Sequence, residues 1–284
     1  MTDREWEWQL NDGTRMYACE WQPEIRQSPR GFIGIVHGMG EHVGRYEHVA
    51  RTFADEGYVV CGFDQYGHGR TPGRRGHVPS YDSLLEGPDR LLREARNRYP
   101  GIPAFLYGHS MGGNVTLNYL LRRRPDIAGA VVTSPWLKLS FDPPQAQVVI
   151  GRLLERVYPQ YSNHRPLAAE RLTSDPEMIR RISEDPVGHG HITAKFFFGV
   201  RRAGLWAIEH SDRLSVPLLL MHGDDDKVTS IAASRQFAER AGTLCSFVEW
   251  PGFRHELHNE AGRPAVFSLM SRWLGDRAAN FSSV

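Results

Sequence analysis

The chain has 284 residues, 40% hydrophobic and 24% charged, with a formal net charge of +1. Such a balance supplies the core of one large domain, or of one domain carrying an insertion. It excludes a disordered chain and a strongly basic nucleic-acid binder, since no Lys/Arg run outgrows Arg122-Arg123-Arg124. The amino terminus, Met1-Thr2-Asp3-Arg4-Glu5-Trp6, is charged, unlike a secretory signal. No apolar run approaches the roughly 20 residues of a membrane-spanning helix. Cys19, Cys61 and Cys245 are few, odd in number and widely spaced. They read as buried small residues of a reducing compartment, neither a disulfide frame nor a metal site, and the expected location is the cytoplasm.

Two short alternating segments, Glu5 to Leu10 and Arg15 to Trp21, flank Asn11-Asp12-Gly13 and predict an antiparallel hairpin. The pattern then changes. Gly31 to Val36 is a short apolar run of the kind that forms a strand buried on both faces. Tyr46 to Glu56 is helical, Tyr58 to Phe63 a strand, Tyr81 to Arg98 helical and Ala104 to Tyr107 a strand. Val115 to Arg123 is helical and Ala130 to Thr133 again a strand. Strands alternating with helices imply βαβ units and a mostly parallel sheet with helices on its flanks.

Between Pro135 and Leu214 the rhythm breaks. Four helix-like stretches follow one another with no clear strand: Gln145 to Val157, Leu167 to Leu172, Glu177 to Ser183 and Ala194 to His210. The alternation then resumes with a strand over Pro217 to Met221, a helix over Ile231 to Arg240, a strand over Ser246 to Trp250 and a closing helix over Ala265 to Leu274. The expected organisation is an α/β core of residues 1–135 and 214–284, with 136–213 as an inserted helical cap over the carboxyl edge of the sheet. Val148, Val149, Ile150, Phe196, Phe197, Phe198, Leu205 and Trp206 fill that insertion. Most are expected to pack the cap onto the core and some to line an apolar channel. The amphipathic stretch from Ala194 permits transient contact with a membrane surface through the cap.

Gly108-His109-Ser110-Met111-Gly112 joins a strand to a helix, which is the setting of a nucleophile elbow. A serine hydroxyl needs a base, and the base needs an orienting acid. On a sheet of this type they follow in the order serine, acid, histidine, each on a loop after a later strand. After Pro217 to Met221 comes His222-Gly223-Asp224-Asp225-Asp226, and one of its three aspartates is the acid. After Ser246 to Trp250 come His255 and His258, either of which can be the base. His255-Glu256-Leu257-His258 falls one residue short of the H-E-x-x-H zinc helix, so no metal is expected. The oxyanion requires two amides. Met111, after the serine, supplies one, and Met39 in His37-Gly38-Met39-Gly40 supplies the other.

These stretches resemble the α/β-hydrolase superfamily, and within it the monoacylglycerol lipase and lysophospholipase group. The resemblance is carried by His37-Gly38-Met39-Gly40-Glu41-His42 with Gly44-Arg45-Tyr46, by Gly67-His68-Gly69-Arg70, and by Gly108-His109-Ser110-Met111-Gly112-Gly113. Gly223-Asp224-Asp225-Asp226 and His255-Glu256-Leu257-His258-Asn259-Glu260 complete it. It implies the α/β-hydrolase fold, Asp226 as the acid and His255 as the base. It also implies a polar pocket of Glu41, Arg45 and His258 for the glycerol end of a lipid ester, with no cofactor. The cap matches no pattern of the group. Hydrolysis of single-acyl-chain esters, monoacylglycerol first among them, is the expected activity. Lysophospholipase, broad carboxylesterase and a non-catalytic binding protein are the alternatives.

Overall fold

The computed structural model describes residues 3–24 and 28–281; Met1 and Thr2 of the charged amino terminus lie outside them. The hairpin forms from β1 (Arg4–Gln9) and β2 (Arg15–Trp21), antiparallel as expected. Then come β3 (Gly31–Val36), α1 (Glu47–Asp55), β4 (Tyr58–Phe63), α2 (Tyr81–Arg98), β5 (Ala104–His109), α3 (Ser110–Arg123) and β6 (Gly129–Thr133). After a long intervening stretch the chain completes β9 (Leu218–Gly223), α7 (Ile231–Ala241), β10 (Cys245–Trp250) and α8 (Arg263–Ala279). One eight-stranded sheet runs β1-β2-β4-β3-β5-β6-β9-β10, and every pairing from β4 to β10 is parallel.

The parallel strands β3, β4 and β9 are buried at every position, because helices cover both faces. On one face Val49 and Phe53 of α1 pack with Met270, Trp273 and Leu274 of α8. On the other, Leu91 of α2, Leu117 and Leu120 of α3 and Phe237 of α7 form the larger core. Strand order reverses between β3 and β5, since β3 leads outward to β4 while β5 leads on to β6. At such a switch point the loops leave adjacent strands in opposite directions and open a crevice at their carboxyl ends. Both glycine-rich motifs lie there.

The intervening stretch holds α4 (Gln145–Val157), β7 (Ser162–His164), α5 (Pro176–Ser183), β8 (His191–Thr193) and α6 (Ala194–Glu209). Side-chain caps start two of the helices. Asp175 accepts the amides of Glu177 and Met178 ahead of α5, and Thr193 accepts that of Phe196 at α6. Two expectations change. The antiparallel pair of β7 and β8 appears where no strand was expected, because three residues per strand show no alternation. Leu167 to Leu172 holds only a single tight turn, Ala169–Arg171. Its end is drawn into another contact, as the Leu172 carbonyl accepts the Glu256 amide at 2.7 Å.

The stretch is not uniform in its packing. Helix α6 is bound into the body, where the Asn114 and Asn118 amides of α3 donate to the carbonyls of Val200 and Ala203 at 3.2 and 3.1 Å. By contrast, α4 has no buried residue. Cys19 and Cys61 are buried, Cys245 is half-buried, and all three are free. Among the described residues no helix is long and apolar enough to cross a membrane.

Candidate active site

Strand β5 turns into α3 at Ser110, which takes φ 53°, a left-handed conformation that costs a side chain about 1–2 kcal/mol. The turn is possible only because glycines surround it. A Cβ on Gly112 would lie 2.0 Å from the Val36 carbonyl oxygen, and one on Gly108 2.4 Å from Thr116 Oγ1. The helix begins at the serine, five residues before the apolar periodicity starts at Val115, because Gly112, Gly113 and Asn114 conceal its first turn.

Three distant side chains meet at this turn. His255 Nε2 lies 2.9 Å from Ser110 Oγ, and His255 Nδ1 lies 2.8 Å from Asp226 Oδ2. All three residues are buried. Burial alone would raise the Asp226 carboxyl. The charge of His255 and the hydrogen bonds of His222 and His255 outweigh it and hold the group far below the usual carboxylate range. Burial would likewise lower the His255 imidazole, but the Asp226 charge and hydrogen bond prevail and leave it above its ordinary value. The neighbouring aspartates work elsewhere. Exposed Asp224 accepts the Gly252 amide through Oδ1 at 2.6 Å, and half-buried Asp225 pairs with Lys227 at 2.7 Å. Such a chain can move a proton from hydroxyl to imidazole while the carboxylate stabilises the cation formed.

The loop after β3 reaches the same point. Met39 lines the cavity above Ser110, while Met111 sits in the first turn of α3, where helix amides have no partner within the helix. The Glu41 carboxylate holds this loop, accepting the Gly38 amide and the Tyr46 hydroxyl, the latter at 2.7 Å. Burial pushes its carboxyl up against the attraction of Arg45. Two contacts tie the loop to the intervening stretch: the His189 amide donates to the Gly40 carbonyl at 2.7 Å, and His42 Nε2 lies 3.2 Å from Asp185.

The expected polar pocket is arranged differently from its sequence reading. Arg45 approaches Glu41 only to 3.7 Å, and its shorter pair is with Glu256 at 3.0 Å. Glu256 lines the cavity with Glu41 and Arg45. His258 is not part of that lining. Its ring is buried, stacked on Tyr46 with centroids 4.9 Å apart, and its Nδ1 faces the Tyr107 hydroxyl at 3.2 Å. Glu256 was missed because its sole sequence signal was its place between two histidines.

The cavity that ends at Ser110 and His255 has a volume of about 1050 Å³. Val148, Ile150 and Leu154 of α4 and Phe197 and Phe198 of α6 give it an apolar wall. Of the other apolar residues in the stretch, Phe196 is core, Val149 and Leu205 are exposed, and Trp206 stacks on His210 at 4.3 Å. Among the described residues no group of three or more His, Cys, Asp or Glu side chains could hold a metal ion.

Comparison with known proteins agrees with this architecture. The Hydrolase_4 family model, described as serine aminopeptidase, S33, matches residues 27–262. The chain is 31% identical over 263 residues to an uncharacterized abhydrolase domain-containing protein of Dictyostelium discoideum, covering 92% of this chain but spanning only 28% of that protein. It is 30% identical over 264 residues to a monoacylglycerol lipase of Mycolicibacterium smegmatis, covering 92% of this chain and 93% of that one. The crystal structure of Paleococcus ferrophilus monoacylglycerol lipase superposes with a TM-score of 0.84 at 29% identity, covering 92% of this chain and 99% of that one. The chain belongs to the Hydrolase_4 family of α/β-hydrolases and is a serine ester hydrolase.

Proposed function

We propose that the protein hydrolyses esters of single-acyl-chain lipids, monoacylglycerol foremost, through an acyl-Ser110 intermediate. The observation that carries this reading is the cavity: apolar along α4 and α6, charged at Glu41, Arg45 and Glu256, with Ser110 between. An acyl chain and a glycerol head divide along those two regions. Ser110 Oγ attacks the ester carbonyl as His255 Nε2 takes its proton. Asp226 stabilises the imidazolium, and the amides of Met39 and Met111 receive the oxyanion. The glycerol leaves with the proton from His255. A water molecule, deprotonated by the same imidazole, then releases the fatty acid, so the cycle draws on side chains, amides and water alone.

Glu41, Arg45 and Glu256 supply acceptors and a donor for vicinal hydroxyls. His258 joins this group from behind, through its stack on Tyr46, whose hydroxyl holds Glu41. The relatives named monoacylglycerol lipase support the head-group assignment. The test is a profile of kcat/KM over acyl length for 1-monoacylglycerols, lysophosphatidylcholines and p-nitrophenyl esters. Highest values for 1-monoacylglycerols are expected; a strong preference for the phosphocholine head would make the enzyme a lysophospholipase.

Residues 136–213 act as the cap in this reading. Val149, Leu153 and Val157, four residues apart on α4, are 67%, 62% and 73% exposed and form one apolar stripe beside the cavity wall. This stripe meets the membrane surface from which substrate is drawn. Leu153→Glu with Val157→Glu is expected to lower co-sedimentation with phospholipid vesicles severalfold while leaving hydrolysis of soluble p-nitrophenyl acetate unchanged. Equal sedimentation of variant and wild type would remove the stripe from the account. Three free cysteines suit a reducing compartment, and we assign the protein to the cytoplasm.

A further inference from the structure

Asp226 carries more than the partner its role requires. His222, fully buried at the end of β9, places Nε2 at 3.0 Å from Asp226 Oδ2, the same oxygen that meets His255 Nδ1 at 2.8 Å. The far nitrogen of His222 is held in turn, with Nδ1 2.9 Å from Oγ of Ser234, a fully buried residue on α7. The hydrogen-bonded chain therefore reads Ser110, His255, Asp226, His222, Ser234, with a hydroxyl and an imidazole on each side of one carboxylate.

A carboxylate offers about four lone-pair sites. Here Oδ1 takes the amides of Val228 and Thr229 at 2.7 and 3.0 Å. The two imidazoles fill Oδ2. The Thr229 hydroxyl also lies 2.8 Å from Oδ2, but its single proton has the Ser134 carbonyl as a second acceptor at 3.1 Å. A saturated carboxylate is fixed in rotation, and each added donor draws electron density from the oxygen that His255 uses.

We propose that His222, oriented by Ser234, is a positioning residue for the ester hydrolysis: its hydrogen bond fixes the Asp226 carboxylate and moderates the pull of that carboxylate on His255. The inference rests on the reading of Ser110, His255 and Asp226 as the reacting group. Loss of the Nε2–H donor concentrates charge on the oxygen facing His255. It therefore raises the pH above which the imidazole is free to accept the Ser110 proton. The other titratable or charged groups facing this chain stay in place in every variant: His109, with its ring 4.8 Å from that of His255, Glu41, Glu256 and His258 near His255, and Glu249 beside His222.

The experiment is the pH profile of kcat/KM for p-nitrophenyl butyrate with wild type, His222→Leu, His222→Gln and Ser234→Ala. A glutamine amide reaches the position of the imidazole Nε2 and keeps the donor, whereas leucine removes it. The wild-type acid limb is expected above the ordinary imidazole value of 6.5. In His222→Leu it should move up by about half to one pH unit, with kcat about tenfold lower at little change in KM. His222→Gln should restore the wild-type limb, and Ser234→Ala should shift it in the same direction by less. An unshifted limb in folded His222→Leu overturns the proposal. Should that variant not fold, an unshifted limb in Ser234→Ala does so. Fluorophosphonate labelling of the same preparations separates the two levels of inference. Wild type that fails to label at Ser110 defeats the catalytic reading itself, while labelled wild type with unshifted variants defeats only the role of His222.

Discussion

Ser110→Ala is expected to lower kcat on monoacylglycerol by about five to six orders of magnitude, leaving the activity that amides and binding alone provide. The neighbouring Thr229 hydroxyl cannot take over. Thr229 Oγ1 is engaged with Asp226 and Ser134, and it faces His255 Nδ1 at 3.3 Å, the wrong nitrogen of the base. Ser110 is 8% exposed and is held against His255 Nε2, so a fluorophosphonate that phosphorylates serine nucleophiles should label the wild type at this residue. The variant should remain unlabelled. Its fold should persist, because alanine removes one oxygen and tolerates the left-handed backbone about as well as serine does. Circular dichroism and a melting temperature within about 2 °C of wild type would establish that. Labelling that survived in Ser110→Ala would assign the nucleophile elsewhere. A wild type that took no label would favour the non-catalytic binding protein.

Much of the parallel core was legible because its signals are local. A strand buried on both faces is a short apolar run, as in Gly31–Val36 and Tyr58–Phe63, and both reproduce residue for residue. Ser110, a strand end followed by glycines, could be located for the same reason. The choice of Asp226 over Asp224 and Asp225 could not be made from charge or spacing. Separation of the three depends on where β9 ends relative to β10, which directs Asp224 to the Gly252 amide and Asp226 inward. Glu256 and His222 were silent for a different reason. Each acts through a partner far away in the chain or on another element, Arg45 for one and Ser234 on α7 for the other. The division of labour within 136–213 was equally hidden. Periodicity places α4 and α6, but only tertiary packing shows that α6 is tied to α3 while α4 carries no buried residue.

Acid should unfold this protein from the active-site side, with a midpoint above that of a protein whose histidines are solvated. The imidazoles of His37, His68, His109 and His258 are fully buried, and burial lowers all four, His37 to about 3. For His37 the reason is also geometric: Nδ1 lies 2.8 Å from the Gly38 carbonyl and Nε2 accepts the Gln65 amide at 2.9 Å, so a second ring proton would break the latter bond. A group whose folded pKa lies below its unfolded value binds fewer protons in the native state. Its stability contribution is present above the unfolded value of 6.5 and is lost as pH falls toward the folded one. Glu41 and Asp64, raised by burial, act in the opposite sense and offset at most two protons. His255, raised, contributes stability that is lost as pH rises through its own pKa, so it leaves the acid-side slope unchanged. For these groups the balance is a loss of about 3 kcal/mol per pH unit below 6, to which His48, His77 and His189, also lowered by burial, add in the same sense; the total stability of a domain is about 5–15 kcal/mol. Urea titrations at half-unit steps from pH 7.5 to 5 would read that slope directly. Because His37 opens the loop that carries Met39, activity on soluble ester should fall over the same range, beyond the loss that protonation of His255 alone produces. Equal unfolding free energies at pH 7 and pH 5.5 would mean that these imidazoles accept protons within the fold, contrary to their burial.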